Sequence, residues 1–214
     1  MSEKTAKMEP KTEYHFNTAK IKPLKKGGFF MELVYDEIHT DEAGKVTVTP
    51  VTKEPPFHPH MDMFTALKML VPHMMIETDF ATTKDFNKAY IDGARILEDP
   101  KITDLFKVTG VHIKEKHEAR HVVIVGRKIL RSGKVINLSP MINIDDLEEG
   151  YVYAEATKTA VDNFINEVAL YTEGKHAPDA QLKMFAEEGK AEAKSDEASE
   201  QASVPKEKAG KKAS

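Results

Sequence analysis

Residues 29–39, FFMELVYDEIH, carry apolar side chains on both alternating faces, the pattern of a central strand flanked by neighbours. The stretch before it, residues 14–24 (YHFNTAKIKPL), reads as a second strand, closed by Lys25, Lys26, Gly27 and Gly28. After it, Asp41-Glu42-Ala43-Gly44 supplies a turn into residues 45–52 (KVTVTPVT), where Val and Thr alternate. Pro50 has no N–H to give a ladder, so this third strand is predicted at an edge or a bulge. Pro55 and Pro56 then stop the sheet.

A helix follows. Met63, Leu67, Leu70 and Met74, joined by Phe64, Val71 and Met75, recur at helical spacing, and Pro72 predicts a kink or an end within that run. Residues 81–97 read either as a further helix, with Phe86, Tyr90 and Ile91 on one side, or as an insertion. A second strand set begins near Leu105. Residues 106–116 (FKVTGVHIKEK) place Val111 and Ile113 opposite His112, Lys114 and Lys116. Residues 121–130 (HVVIVGRKIL) are apolar on both faces around Gly126, again a central strand. Arg131-Ser132-Gly133-Lys134 is a hairpin turn. Residues 135–144 return, interrupted by Pro140. Asp145, Asp146, Glu148 and Glu149 suit a helix N-terminus, where carboxylates oppose the dipole favourably. The helix then buries Val161, Phe164, Ile165, Val168 and Tyr171 and ends near Gly174.

The fold class this predicts is α+β, two antiparallel three-stranded meanders each followed by a helix (β-β-β-α twice). Residues 13–176 form that domain, behind a flexible arm over 1–12. Residues 177–186 hold a linear motif. Residues 187–214 have no large apolar residue except Val204, so the tail cannot offset its ordering entropy by burial and is predicted disordered.

The chain has 214 residues and no cysteine, which excludes thiol catalysis, cysteine-ligated zinc and a disulfide framework. No apolar run approaches the ~20 residues that span a bilayer, and the first residues lack the apolar core of a signal peptide. A cytoplasmic protein with no membrane partner is expected. The net charge of −4 mixes a charge-dense tail with a locally basic body and decides little.

Two groups of cations stand out. Lys20, Lys22, Lys25 and Lys26 line the first hairpin; Lys114, Lys116, Arg120, Arg127, Lys128, Arg131 and Lys134 crowd the second strand set. A basic sheet face suits phosphate contacts, and Phe16, Phe30 or Tyr35 would stack on bases if exposed. The opposing reading is ordinary surface charge that discourages edge pairing. His58, His60 and Asp62 bring two imidazoles and a carboxylate within five positions, with His73 further along, which suits a transition metal. The intervening prolines argue instead for a turn into the helix with Asp62 near its N-cap. No Gly-rich phosphate loop, nucleophile elbow or kinase set appears, so neither a catalytic residue nor a cofactor is expected.

Residues 181–185, QLKMF, lie between the body and the tail. With Gln181, Leu182, Met184 and Phe185 the stretch resembles the Q-L-x-L/M-F peptide by which bacterial and phage proteins dock on the replicative sliding clamp. Such a peptide needs only to be short, accessible and apolar at its tip. The alternative is that Leu182, Met184 and Phe185 pack back as a final turn. The runs KKGGFFMELVYDE, KEPPFHPHMDMFTALKMLVPHM, VTGVHIKEK and VIVGRKIL resemble a group of small phage and prophage proteins from recombination and replication gene clusters. The similarity covers roughly residues 21–185, and Met184 stands where Leu is commonest.

That resemblance implies DNA metabolism by association. The expectation is a non-enzymatic accessory protein that binds single-stranded DNA on a basic sheet and docks on a sliding clamp. The alternatives are a protein-only adaptor or inhibitor of a host factor, and a metal-dependent enzyme using His58, His60 and Asp62. Open sheet edges would favour a homodimer.

Overall fold

The computed structural model of the chain describes residues 9–24, 28–85, 102, 104–116, 119–145, 151–178 and 181–182, excluding the side chains of Glu115 and Lys116. The predicted tail, most of the predicted arm and residues 86–97 of the ambiguous stretch lie outside the described residues.

Seven strands are seen: β1 (Lys11–Pro23), β2 (Phe29–Thr40), β3 (Val46–Lys53), β4 (Phe106–Lys116), β5 (Ala119–Ile129), β6 (Val135–Leu138) and β7 (Met141–Asn143). The fully described helices are α1 (Met61–Lys68), α2 (Val71–Glu77) and α3 (Ala154–Thr172). The α+β class stands, but the strands form one sheet rather than two separate meanders. Their order is β3-β2-β1-β4-β5-β6, with β7 also on β5, and each of these pairings is antiparallel.

What joins the two strand groups is a short seam. Thr18, Ala19 and Lys20 of β1 face His112, Val111 and Gly110 of β4. The flanking ladders are far longer, running the whole of β1 against β2 and of β4 against β5. Each seam strand also bulges beside the contact, β1 between Phe16 and Thr18 and β4 between Val108 and Gly110. An extra residue turns the next side chain to the other face. Accordingly Phe16 and then Ala19 and Ile21 point into the core of β1, across the shift. Gly110 permits the approach: a Cβ there would collide with the Ala19 carbonyl oxygen and sit 2.6 Å from Lys20 Cα.

One sheet face is the core. Phe29, Met31 and Leu33 of β2, Val111 of β4, and Val122 and Ile124 of β5 are buried there under the helices. α1 meets α3 and β4, α2 meets β4, and α3 also reaches β1. α3 contributes Val161, Phe164, Val168 and Tyr171, as its periodicity predicts, with Ile165 partly buried. Each such large apolar side chain contributes roughly 1.5–3 kcal/mol by leaving water. Gly126 leaves room for α2, since a Cβ there would meet the Met74 sulfur and sit 2.7 Å from the Lys107 carbonyl oxygen.

Proline sets several boundaries. The first helical run divides into α1 and α2, with Pro72 in the opening turn of α2, where a missing N–H is no loss. Pro140 divides the last strand, so β6 and β7 pair different halves of β5. Pro50 lies in β3, the edge strand, which is exposed along nearly all its length. Two boundaries differ from expectation. β1 starts at Lys11, pairing with Thr40, so the end of the predicted arm belongs to the sheet. Asp145 does not open α3, which begins at Ala154 after Tyr153. Its carboxylate instead accepts from the Arg120 backbone N–H (2.9 Å) and the Lys158 ammonium (3.2 Å), stronger partners than a helix end.

If the Gly110 approach holds the sheet together, Gly110→Ala should lower stability by roughly 2–3 kcal/mol, the cost of forcing atoms into a packed site. Urea unfolding of the variant beside wild type measures this; an unchanged midpoint would contradict it.

Candidate nucleic-acid interface

The face opposite the core is set by strand alternation. With Ala19 and Ile21 turned inward on β1, Thr18, Lys20 and Lys22 turn outward. Phe30, Glu32, Val34 and Asp36 do the same on β2. The seam then brings in β4, with Thr18 opposite His112, and β5 adds Val123 opposite His112 and His121 opposite Lys114. Lys20, Lys22 and Lys114 therefore share one face, Lys20 and Lys114 on either side of His112, and only Lys114 among them is fully exposed. The Thr18 hydroxyl lies 2.9 Å from His112 Nδ1. Burial, then Lys20 and Lys114, push the His112 pKa below its ordinary value, against an opposing pull from Glu32. Acidic side chains temper the positive charge of this face: Glu32 pairs with Lys22 at 2.8 Å, and Asp36 accepts from Asn17 at 3.1 Å.

The other predicted cations are dispersed. Arg120 is held by Asp145 at 3.3 Å and Asp162 at 3.7 Å. Arg127 is 4% exposed, so a ligand on the surface would not meet it. Lys128 has the opposite parity and lies over the Phe80 ring at 3.6 Å, with Phe106 at 5.0 Å. Arg131 and Lys134 are exposed in the β5–β6 turn, at the other end of β5 from the partner of Lys114. Lys25, Lys26 and the Lys116 side chain lie outside the described residues. Of the aromatic candidates, Phe16 and Tyr35 are in the core, and Phe30 is half-buried on the outer face.

The histidine turn has internal partners. His58 Nδ1 accepts from the Phe29 N–H at 3.1 Å, beside Gly28, where a Cβ would sit 2.8 Å from that nitrogen. His60, not Asp62, caps α1, its Nδ1 accepting from the Asp62 N–H at 3.3 Å. The Asp62 carboxylate pairs with Lys175 at 2.7 Å, and Lys175 also reaches Glu167 at 2.7 Å. The hydrogen bond from Lys175 holds the Asp62 pKa below the usual carboxylate range. Among the described residues no three His, Cys, Asp or Glu side chains come together as a metal-ligand set.

The first two residues of the peptide motif lie at this corner. Gln181 Oε1 accepts from the Met61 N–H at 3.2 Å, satisfying a donor at the start of α1, and the Gln181 N–H donates to the Pro178 carbonyl at 2.8 Å. Leu182 is half-buried. Met184 and Phe185 lie outside the described residues.

The sequence reading missed a buried polar cluster. His73, 0% exposed in α2, has Nδ1 2.9 Å from Thr157 Oγ1 and 3.1 Å from the Tyr151 hydroxyl. Its Nε2 is buried with no hydrogen-bond partner among the described residues. Burial pushes the His73 pKa down to about 4 and the Tyr151 phenol above its ordinary value. Position 73 falls on the apolar side of a helix, a signal of core placement, but its partners come from a distant segment.

No family model, curated protein or solved structure matches this chain. No described helix is long and apolar enough to cross a membrane.

His73 makes a pH dependence predictable. The unfolded chain protonates it near pH 6.5 and the folded chain only near 4. Its contribution to stability is therefore complete above about pH 6.5 and is lost as pH falls toward 4. Between pH 7 and pH 5 this one group should remove about 2 kcal/mol. Urea unfolding of wild type and His73→Gln at both pH values isolates the effect: the variant should show a correspondingly smaller loss, and an equal loss would contradict it.

Proposed function

We propose that the protein is a non-enzymatic accessory factor of phage-type DNA replication or recombination that binds single-stranded DNA across the outer sheet face. The observation that carries this reading is that Lys20, Lys22 and Lys114 share one sheet face, opposite the helices, with Lys20 and Lys114 flanking His112 across the seam. Phosphates would lie along β1 and β4, and Phe30 would offer one half-buried ring for a base. Binding of this kind is sequence-tolerant and weakens with salt as counterions return to the strand. With three lysines, one of them shared with Glu32, the affinity is modest.

Tethering to a sliding clamp through Gln181, Leu182, Met184 and Phe185 belongs to the same proposal and rests on the motif resemblance. It requires Gln181 to leave the Met61 N–H, a loss of about 1 kcal/mol of hydrogen bonding, which a clamp subsite would have to replace. The phage or prophage setting rests on the resemblance of the strand and helix runs.

Fluorescence anisotropy with labelled single-stranded and duplex oligonucleotides across a salt series tests the face. Lys20→Glu with Lys114→Glu should weaken single-strand binding at least about tenfold and shallow the salt slope by roughly 1.4, about 0.7 for each lost phosphate contact. Arg131→Glu with Lys134→Glu should change it far less. Equal effects from both pairs would reject the face, and no binding at low salt would leave a protein-only adaptor as the better account.

A further inference from the structure

Beyond the Thr18–Lys20 seam β1 and β4 are no longer paired, and β4 bulges between Val108 and Gly110. A cavity of about 130 Å³ lies at this split, beneath α1. Its walls include Ile21, Phe29, Phe64, Leu67, Phe106 and Val108, of which all but Phe64 are buried. Phe29 and Phe64 meet edge-to-face with centroids 5.1 Å apart. An apolar engineered cavity of about 150 Å³ in another protein stays dry and takes up benzene, so one six-membered ring is the right scale.

The rim is not apolar. Lys68 is exposed there and makes no ion pair among the described residues; Asp104, Lys107 and Thr109 also line the space. The exposed Lys68 ammonium favours a negative charge on whatever enters.

We propose that this cavity is a binding site for a small planar aromatic ring carrying a carboxylate or similar anionic group, the ring enclosed by Phe29, Phe64 and Phe106 and the anion at Lys68. The aromatic walls supply edge-to-face contacts, and the ring's burial supplies most of the affinity. The site does not depend on the nucleic-acid reading, since its walls come from the core side of the sheet.

The test uses the full chain and fluorine NMR with 4-fluorobenzoate as the probe and neutral 4-fluorobenzyl alcohol as its control. The benzoate should bind saturably with a dissociation constant on the order of 1 mM, appropriate to a single-ring ligand. The alcohol should bind more weakly. Lys68→Glu, a surface change that leaves the core intact, should weaken benzoate roughly fivefold with little effect on the alcohol. Val108→Phe, which fills the cavity, should abolish both. Absence of saturable benzoate binding to wild type would overturn the proposal. So would benzoate binding that Lys68→Glu leaves unchanged, a result that stands even if Val108→Phe does not fold.

Discussion

The approach of two backbones at Gly110 is the constraint on which the rest of this structure depends. β1 and β4 are far apart in sequence and share three residue pairs. Without that contact the chain would hold two separate strand groups, each with its own open edge. With it, one sheet carries a continuous core on one face and gathers cations from both groups on the other. The contact requires a residue with no side chain at position 110, because the neighbouring space is filled by β1 backbone. The bulges on either side follow from the same geometry. They let each strand keep its apolar residues inward while bending around a short junction.

A second set of contacts closes the opposite side of the core. The Pro59 turn forms a bridge with His176, Ala177 donates to the His58 carbonyl at 2.9 Å, and the Tyr171 hydroxyl donates to the Phe57 carbonyl at 2.5 Å. Phe57 stacks on His176 at 4.1 Å. The segment after α3 is thus fastened to the entry of α1, and Gln181 completes the arrangement. Residues whose spacing suggested metal ligands are the same ones that make this closure. His58 and His60 act here as hydrogen-bond acceptors for backbone N–H groups, a role that proline-rich turns need because few backbone partners remain.

Much of the fold was legible because it is local. Alternation in residues 29–39 marks an interior strand, Pro50 marks the edge, and Pro72 and Pro140 mark breaks, since each depends on a residue and its immediate neighbours. The β1–β4 seam was not legible, for it joins residues some ninety positions apart through only three pairs. The candidate face was half legible. Alternation puts Lys114 on the face of His112, but only the β1–β4 seam relates that face to Lys20 and Lys22, and Lys128 falls on the opposite one. Parity says nothing about what covers a side chain, and so it could not foresee that Arg127 is buried or that Arg120 is held by two aspartates. The His73 cluster was hidden for a similar reason: Tyr151 and Thr157 come to it only through the packing of α3 and the residues before it.

Joining β1 to β4 makes one continuous outer face, the surface proposed here for a nucleic-acid strand. Backbone amide chemical-shift mapping with a short oligothymidylate tests it most directly. Perturbations should cluster on Thr18, Lys20 and Lys22 of β1 and on His112 and Lys114 of β4, spanning the seam. Perturbations confined to the Arg131–Lys134 turn, or to one strand group alone, would contradict it.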